Sequence, residues 1–397
     1  MKALVVERSA RRFAAARVAS GWRSGAGGRV GPLRLTEVDE LELPGPRWRR
    51  VRPRLSGICG SDLATVDGRS SRWFEPIVSF PFTPGHEVVG EDDNGNRVVL
   101  EPVLACACRG IDPPCAACAA GATRHCHHLS GGHLSPGLQT GFCGDTGGGW
   151  SLALAAHDSQ LHTVPDSLSD EAAVMVEPAA CALHGALAGP VDTDGLAVVI
   201  GAGTLGLATV AALARLRADV TRIVVAAKHP EQRRWARELG ATPGTSTTPA
   251  EGGELRRAVR RATGSWMRDD GQLTGGASLV IDCVGSAGSL AEALAVTAPG
   301  GTIVMLGMPG PLHVDLTPLW QREIHLAGAY TYGPEPAAGG RHSFDVAMEL
   351  VADAGLDRLV SATYPLDRFS DAIDHAANAG RRGATKIAFD LRAERRR

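Results

Sequence analysis

Short apolar runs broken by Gly and Pro set the texture of the first third of the chain, at residues 2–7, 50–55, 87–90 and 97–101. Runs of that length, bounded by turn formers, predict strands, so this part reads as a β-rich domain with irregular loops. Residues 11–31 carry arginines and Gly25-Ala26-Gly27-Gly28 with no clear period, and are expected to form a surface excursion. From about residue 180 the pattern alternates. Strands are predicted at 197–200, 222–226, 279–282, 302–306 and 324–327, with helices at 204–217 and 230–239 between them. Short apolar strands separated by helical patterns argue for a parallel, doubly wound sheet. The tail adds a helix over 343–354 and a strand over 386–389.

Residues 196–214 contain no charge and are long enough to span a bilayer, but Gly201, Gly203 and Gly206 interrupt them. A buried strand, a glycine turn and a buried helix account for the run without a membrane.

Composition narrows the picture further. The 397 residues exceed one ordinary core and fit two domains; 44% are hydrophobic and 21% charged, which is globular composition. The net charge of -2 advertises neither a nucleic-acid nor an anionic-membrane partner. Charge arrives at Lys2, Glu7 and Arg8, before the apolar segment of a signal peptide could form, so a cytoplasmic protein is expected. The arginine-rich end, Glu394 to Arg397, reads as a solvated terminus.

The run Gly201-Ala202-Gly203-Thr204-Leu205-Gly206 follows one predicted strand and opens a helix. Glycine serves there for the turn, for close approach of backbone to a pyrophosphate, and for strand–helix packing; the phosphates would meet the helix N-terminus. An NAD-preferring site places an acid at the end of the next strand, but that strand ends Ala227-Lys228-His229. Ala227 leaves room for a 2′-phosphate and Lys228 supplies charge beside it, so NADP is favoured over NAD.

Far from this loop lie Cys59, followed by Gly60-Ser61-Asp62, then Gly85-His86-Glu87, then Glu177-Pro178. A thiolate, an imidazole and a carboxylate make a catalytic zinc set that leaves one tetrahedral position for a substrate oxygen. Ser61, two residues after Cys59, is placed to relay the substrate's proton. Taken singly, Cys59 reads as a small buried hydrophobe, His86 as a satisfied turn histidine and Glu177 as a helix-start acid. Joined to a dinucleotide fold they read as chemistry. Nine cysteines in a chain of this kind are not a disulfide framework, and Cys106, Cys108, Cys115, Cys118 and Cys126 crowd together as metal ligands do.

These motifs, in this order and across nearly the whole chain, resemble the zinc-containing medium-chain dehydrogenases of alcohols, sorbitol, threonine and glucose. The resemblance implies an α/β architecture: a GroES-like β-rich catalytic domain (1–180 and 331–397, with a zinc lobe at about 102–130) and a Rossmann nucleotide-binding domain (181–330), the reaction lying between them. It implies Cys59, His86 and Glu177 as catalytic zinc ligands, Glu87 as a neighbour able to enter the coordination shell, and Asp62 as the partner that orients His86. Glu177, where the best-known alcohol dehydrogenases have a cysteine, is like the sorbitol and glucose branch and implies a polyol, sugar or cyclitol-like secondary alcohol. The chain departs from many members at Ala64, a stretch where they often carry a proton-transfer histidine.

By the same resemblance, Cys115, Cys118 and Cys126 match three ligands of a structural zinc lobe. The usual first position is Asp112 here, so Cys106 and Cys108 are the substitutes; Cys106 is favoured as the fourth ligand because Pro102 followed by three residues and a cysteine matches the usual lead-in, with Cys108 its rival and His125, His127 and His128 close by. Family habit implies a homodimer or homotetramer. Cys143, Cys181 and Cys283 receive no chemistry. Two rivals remain: a non-catalytic dinucleotide- and zinc-binding sensor, and a zinc-free quinone or enoyl reductase. The open metal position with its neighbouring hydroxyl opposes the first, and the intact Cys59, His86 and Glu177 set the second.

Overall fold

A computed structural model of the chain describes residues 1–251 and 253–394; the arginines at 395–397, expected as a solvated end, lie outside them. The chain forms two compact units, Met1–Glu177 with Gly355–Arg397, and Pro178–Ala354.

In the first unit the strand Trp48–Gly57 is central. Its first half pairs with Leu154–His157, and its second half lies between Val88–Glu91 and Lys386–Asp390. Buried Val51, Pro53 and Leu55 alternate with more exposed Arg52 and Arg54, the period-two pattern of a half-covered strand. Beyond Val88–Glu91 the sheet continues through Arg97–Leu100 to Leu161–Thr163, and on the other side to Val360–Tyr364. One apolar cluster joins Leu4, Val6, Ile58, Phe82, Phe142, Trp150, Ile387 and Phe389.

Residues 11–31 lie at the surface as expected, but they are largely helical, with a helix at Ala10–Trp22 and a short turn at Gly27–Val30. Ser9 caps the first helix by accepting from the Arg12 N–H at 3.4 Å. Only Ala16 and Ser20 are buried along it, so no apolar period marks it in the sequence.

The second unit is a six-stranded parallel sheet in the order Ser246–Ala250, Arg222–Ala226, Leu196–Ile200, Ala277–Asp282, Thr297–Met305, His325–Gly328. Numbered by sequence this is 3-2-1-4-5-6, the doubly wound order of dinucleotide folds. Every residue of Leu196–Ile200 is buried, which explains its unbroken apolar reading. The helix Thr204–Leu216 completes the uncharged run. Among the described residues no helix is long and apolar enough to cross a membrane.

The expected boundary at 330 falls instead at 354. The helix Ser343–Ala354 stays with the second unit, where Phe344 packs edge-on against Tyr332 at 4.9 Å and Glu335 bonds to His184 at 2.9 Å.

Candidate active site and metal centres

Cys59 lies just past the end of Trp48–Gly57 and opens the helix Gly60–Val66. Asp62 holds that start. One carboxylate oxygen accepts the Cys59 N–H at 2.9 Å, and the other stands 3.5 Å from Nδ1 of His86. A single buried acid thus fixes the backbone of one expected ligand and faces the ring of the next, the arrangement that orients a metal-binding histidine. Burial alone would lower the His86 pKa, but Asp62 and Cys59 outweigh it and hold the pKa well above the ordinary histidine value. Ser61 is partly exposed in the first turn of the same helix.

Glu87 follows His86 and is buried against Lys386, whose ammonium group donates to its carboxylate and to the Ile58 carbonyl, the latter at 3.3 Å. Gly57 permits this: a Cβ there would lie 2.1 Å from the Glu87 carboxylate and 2.7 Å from the Lys386 chain. Burial opposes the charge on Lys386, but Glu87, then Cys59 and more weakly Glu177 hold its pKa above the ordinary lysine value. Lys386 therefore registers three of the expected acidic groups at once. Glu177 is buried in the first turn of the helix Val176–Leu187.

The donor chemistry fits zinc. With Glu87 paired to Lys386, a Cys59 thiolate and a Glu177 carboxylate would balance a divalent ion beside a neutral imidazole, although among the described residues the ligand atoms of Cys59, His86 and Glu177 are not gathered within 4.8 Å of one another as those of the four-cysteine group are. No sequence motif points to Lys386. One signal was available: it is one of only three lysines in an arginine-rich chain, with Lys2 and Lys228.

The second cluster is more compact. The sulfurs of Cys106, Cys115, Cys118 and Cys126 all lie within 4.8 Å of one another, and Cys106 and Cys126 are 3.7 Å apart. Tetrahedral ligation at about 2.3 Å needs sulfurs about 3.8 Å apart, so four thiolates fit a closed zinc site. Cys108 lies outside the cluster, packed with Trp48, Leu104 and Leu134 and bonded to Ser159 at 3.7 Å; burial pushes its thiol up to about 11. Of the neighbouring histidines, His128 brings Nδ1 to 3.3 Å from the Cys106 sulfur. Arg109, likewise unmarked by any motif, is fully buried and donates to the carbonyls of Leu104, Gly131, Leu134, Ser135 and Gly137, which ties the lobe to the loop that follows it.

In the second unit Gly201 has φ +96° and faces Val284, where a Cβ would lie 2.5 Å from a methyl group. A Cβ on Gly206 would strike the Gly201 carbonyl at 1.8 Å, so the helix can pack on the strand only without one. Nothing lies within 4 Å of a Cβ built on Gly203, and no side chain caps the helix that begins at Thr204 and Leu205. That is a cradle with space above it and a helix N-terminus beneath, as a pyrophosphate requires. At the end of the next strand Ala227 is buried and Lys228 exposed. Arg233, which no sequence motif marks, donates to the carbonyls of both at 3.3 and 3.1 Å. Asp282 accepts from the Val284 and Gly285 N–H groups and from Ser289, shaping the loop that faces the glycine turn.

Comparison with known proteins agrees with this geometry. Residues 45–166 match the alcohol dehydrogenase GroES-like domain, and residues 204–353 match the zinc-binding dehydrogenase domain. The chain is 27% identical to a putative D-xylulose reductase of Agrobacterium fabrum over 84% of its length and 88% of that protein. It is 27% identical to sorbitol dehydrogenase of Arabidopsis thaliana over 90% of its length and 93% of that protein. A crystal structure of a putative zinc-binding dehydrogenase from Sinorhizobium meliloti bound to NADP superposes with a TM-score of 0.67 at 26% identity, covering 90% of this chain and 95% of that one.

Proposed function

Because the chain belongs to the zinc-containing medium-chain alcohol dehydrogenases, in their sorbitol-dehydrogenase-like branch, we propose that it reversibly oxidises a secondary alcohol of the polyol or sugar class with a nicotinamide dinucleotide. The observation that carries the reading is the group of half-buried Cys59 with buried Asp62, His86, Glu87 and Lys386, with buried Glu177 in electrostatic reach of Lys386.

Cys59, His86 and Glu177 hold the catalytic zinc, and Cys106, Cys115, Cys118 and Cys126 hold a structural one. Bound zinc supplies Lewis acidity that lowers the pKa of the substrate hydroxyl. Asp62 faces Nδ1 of the His86 ring and sets its tautomer. Lys386 holds Glu87 as its ion-pair partner, which keeps that carboxylate from adding a third negative charge to the site. Ser61 accepts the substrate's hydroxyl proton and passes it outward. Residues 1–177 and 355–397 carry this chemistry, while Gly201, Gly203, Thr204, Leu205 and Gly206 bind the cofactor pyrophosphate.

NADP is the preferred cofactor. Ala227 leaves room for its 2′-phosphate, Lys228 lies exposed beside it, and Arg233 adds a second cation at the same strand end. The protein works in the cytoplasm as a homodimer or homotetramer. In support, the edge strand His325–Gly328 leaves one side without a strand partner among the described residues, with Leu326, Leu316 and Trp320 exposed around it.

The test is cofactor reduction with a panel of polyols and sugars. Activity abolished by a chelator, restored by zinc and lost in Cys59→Ser and Glu177→Ala is expected. Undiminished turnover in a chain stripped of catalytic metal would refute the reading.

A further inference from the structure

Two ties run from the surface segment 9–31 into the candidate catalytic centre, and both lie within the first unit. The first is a file of rings. Phe13, on the helix Ala10–Trp22, meets Phe80 edge-on at 6.2 Å; Phe80 meets Phe82 at 5.2 Å; Phe82 meets Phe142 at 5.4 Å; and Phe142 lies 5.7 Å from the His86 imidazole. Phe13 and Phe80 are half-buried, whereas Phe82 and Phe142 are buried, so the file leads inward from the surface. The second tie is Asp67, the residue that ends the helix Gly60–Val66. Its buried carboxylate accepts from the Gly25 and Gly27 N–H groups at 3.1 and 3.0 Å, and its carbonyl accepts from Ser20 at 3.2 Å.

We propose that segment 9–31 buttresses the metal centre, with Phe142, Phe82 and Phe80 as positioning residues that set the plane of the His86 ring and Asp67 as the clasp on the helix that carries Ser61 and Asp62. The physical reason lies in the freedom left to the imidazole. Asp62 stands 3.5 Å from Nδ1, a loose contact that leaves the ring able to swing about its bond to the backbone. Ring packing removes that freedom, because an aromatic face tilted 40° against the imidazole admits few alternative planes. Each further ring denies the one before it a place to move, and Phe13 closes the outer end.

The proposal rests on His86 being a catalytic zinc ligand, and the experiment separates the two claims. The holoenzyme is loaded with cobalt(II), whose visible d–d bands report ligand geometry; the four-thiolate lobe acts as an internal reference. Phe142→Ala is expected to shift the catalytic-site bands, to speed loss of that metal about tenfold, and to lower kcat more than it raises KM. Phe142→Tyr, which keeps the ring, is expected to retain the parent bands. Phe13→Ala, at the half-buried outer end of the file, is expected to give a smaller shift in the same direction. Leu366→Ala removes a buried side chain of the same apolar cluster that is not one of the file's rings, and is expected to lower Tm with the bands unmoved. Unmoved bands in both Phe142→Ala and Phe13→Ala, or an equal shift in Leu366→Ala, would overturn the buttress while leaving the site intact. A parent protein with no catalytic-site cobalt bands would overturn the site assignment, and the buttress with it.

Discussion

Lys386 and Glu87 form a buried ion pair across 299 positions of sequence, with the ammonium group seated over the bare backbone of Gly57. Each charge is tolerable inside the unit only because the other is present.

Lys386→Met therefore leaves an uncompensated carboxylate and is expected to cost about 3–5 kcal/mol in denaturant unfolding. Adding Glu87→Gln to the same chain restores most of that loss. A double variant as unstable as the single one would show that the pair is not what Lys386 contributes.

The lobe geometry separates two neighbouring thiols. Cys106→Ser is expected to lower bound zinc by about one ion per chain, since a closed site needs all four ligands. Cys108→Ser, whose sulfur lies in an apolar pocket, leaves the zinc content unchanged. Metal analysis of the two purified variants checks both statements.

Cofactor choice is expected to turn on the end of the strand Arg222–Ala226. Ala227→Asp puts a carboxylate where the 2′-phosphate would sit and should reverse an NADP preference, changing the ratio of kcat/KM values by about tenfold or more. Lys228→Ala should weaken NADP alone, read as a raised KM. Equal use of both cofactors by the parent would remove the basis for either change.

One surface carboxylate gives a pH dependence with a definite sign. Arg49, hydrogen-bonded to Asp158, holds that carboxyl below the usual aspartate range. A carboxyl whose pKa is lowered on folding adds stability above its unfolded value, near pH 4, and loses it as pH falls through the lower folded value. Arg49→Met should remove part of this acid-sensitive stability, lowering Tm at neutral pH by about 1–2 °C and leaving it nearly unchanged near pH 2. Thermal melts across that range decide it, and a parallel downward shift at every pH would assign Arg49 a different role.

Much of the protein is legible in the amino-acid order alone. The strand Leu196–Ile200 and its helix announced themselves because an element buried on every side must be apolar throughout, and the glycine spacing followed because Cβ atoms at Gly201 and Gly206 would collide with neighbouring atoms. The expected ligand types were equally visible, since Cys, His and Glu are rare enough in such combinations to stand out. The helix Ala10–Trp22 was invisible because it buries too little to impose a period, and the strand Ser246–Ala250 because its threonines and proline at a sheet edge lack an apolar signature.

By itself, then, the sequence determined what is local: turn chemistry, apolar periods, the residues able to bind metal or phosphate, and through them the family. Tertiary structure alone decided which distant groups meet. It set Lys386 on Glu87, packed Cys108 among Trp48, Leu104 and Leu134 outside the thiolate cluster, and tilted Phe142 against His86. Those pairings arise from strand register and loop closure, in which residues far apart along the chain become neighbours only once the sheets have formed, and no local pattern encodes them.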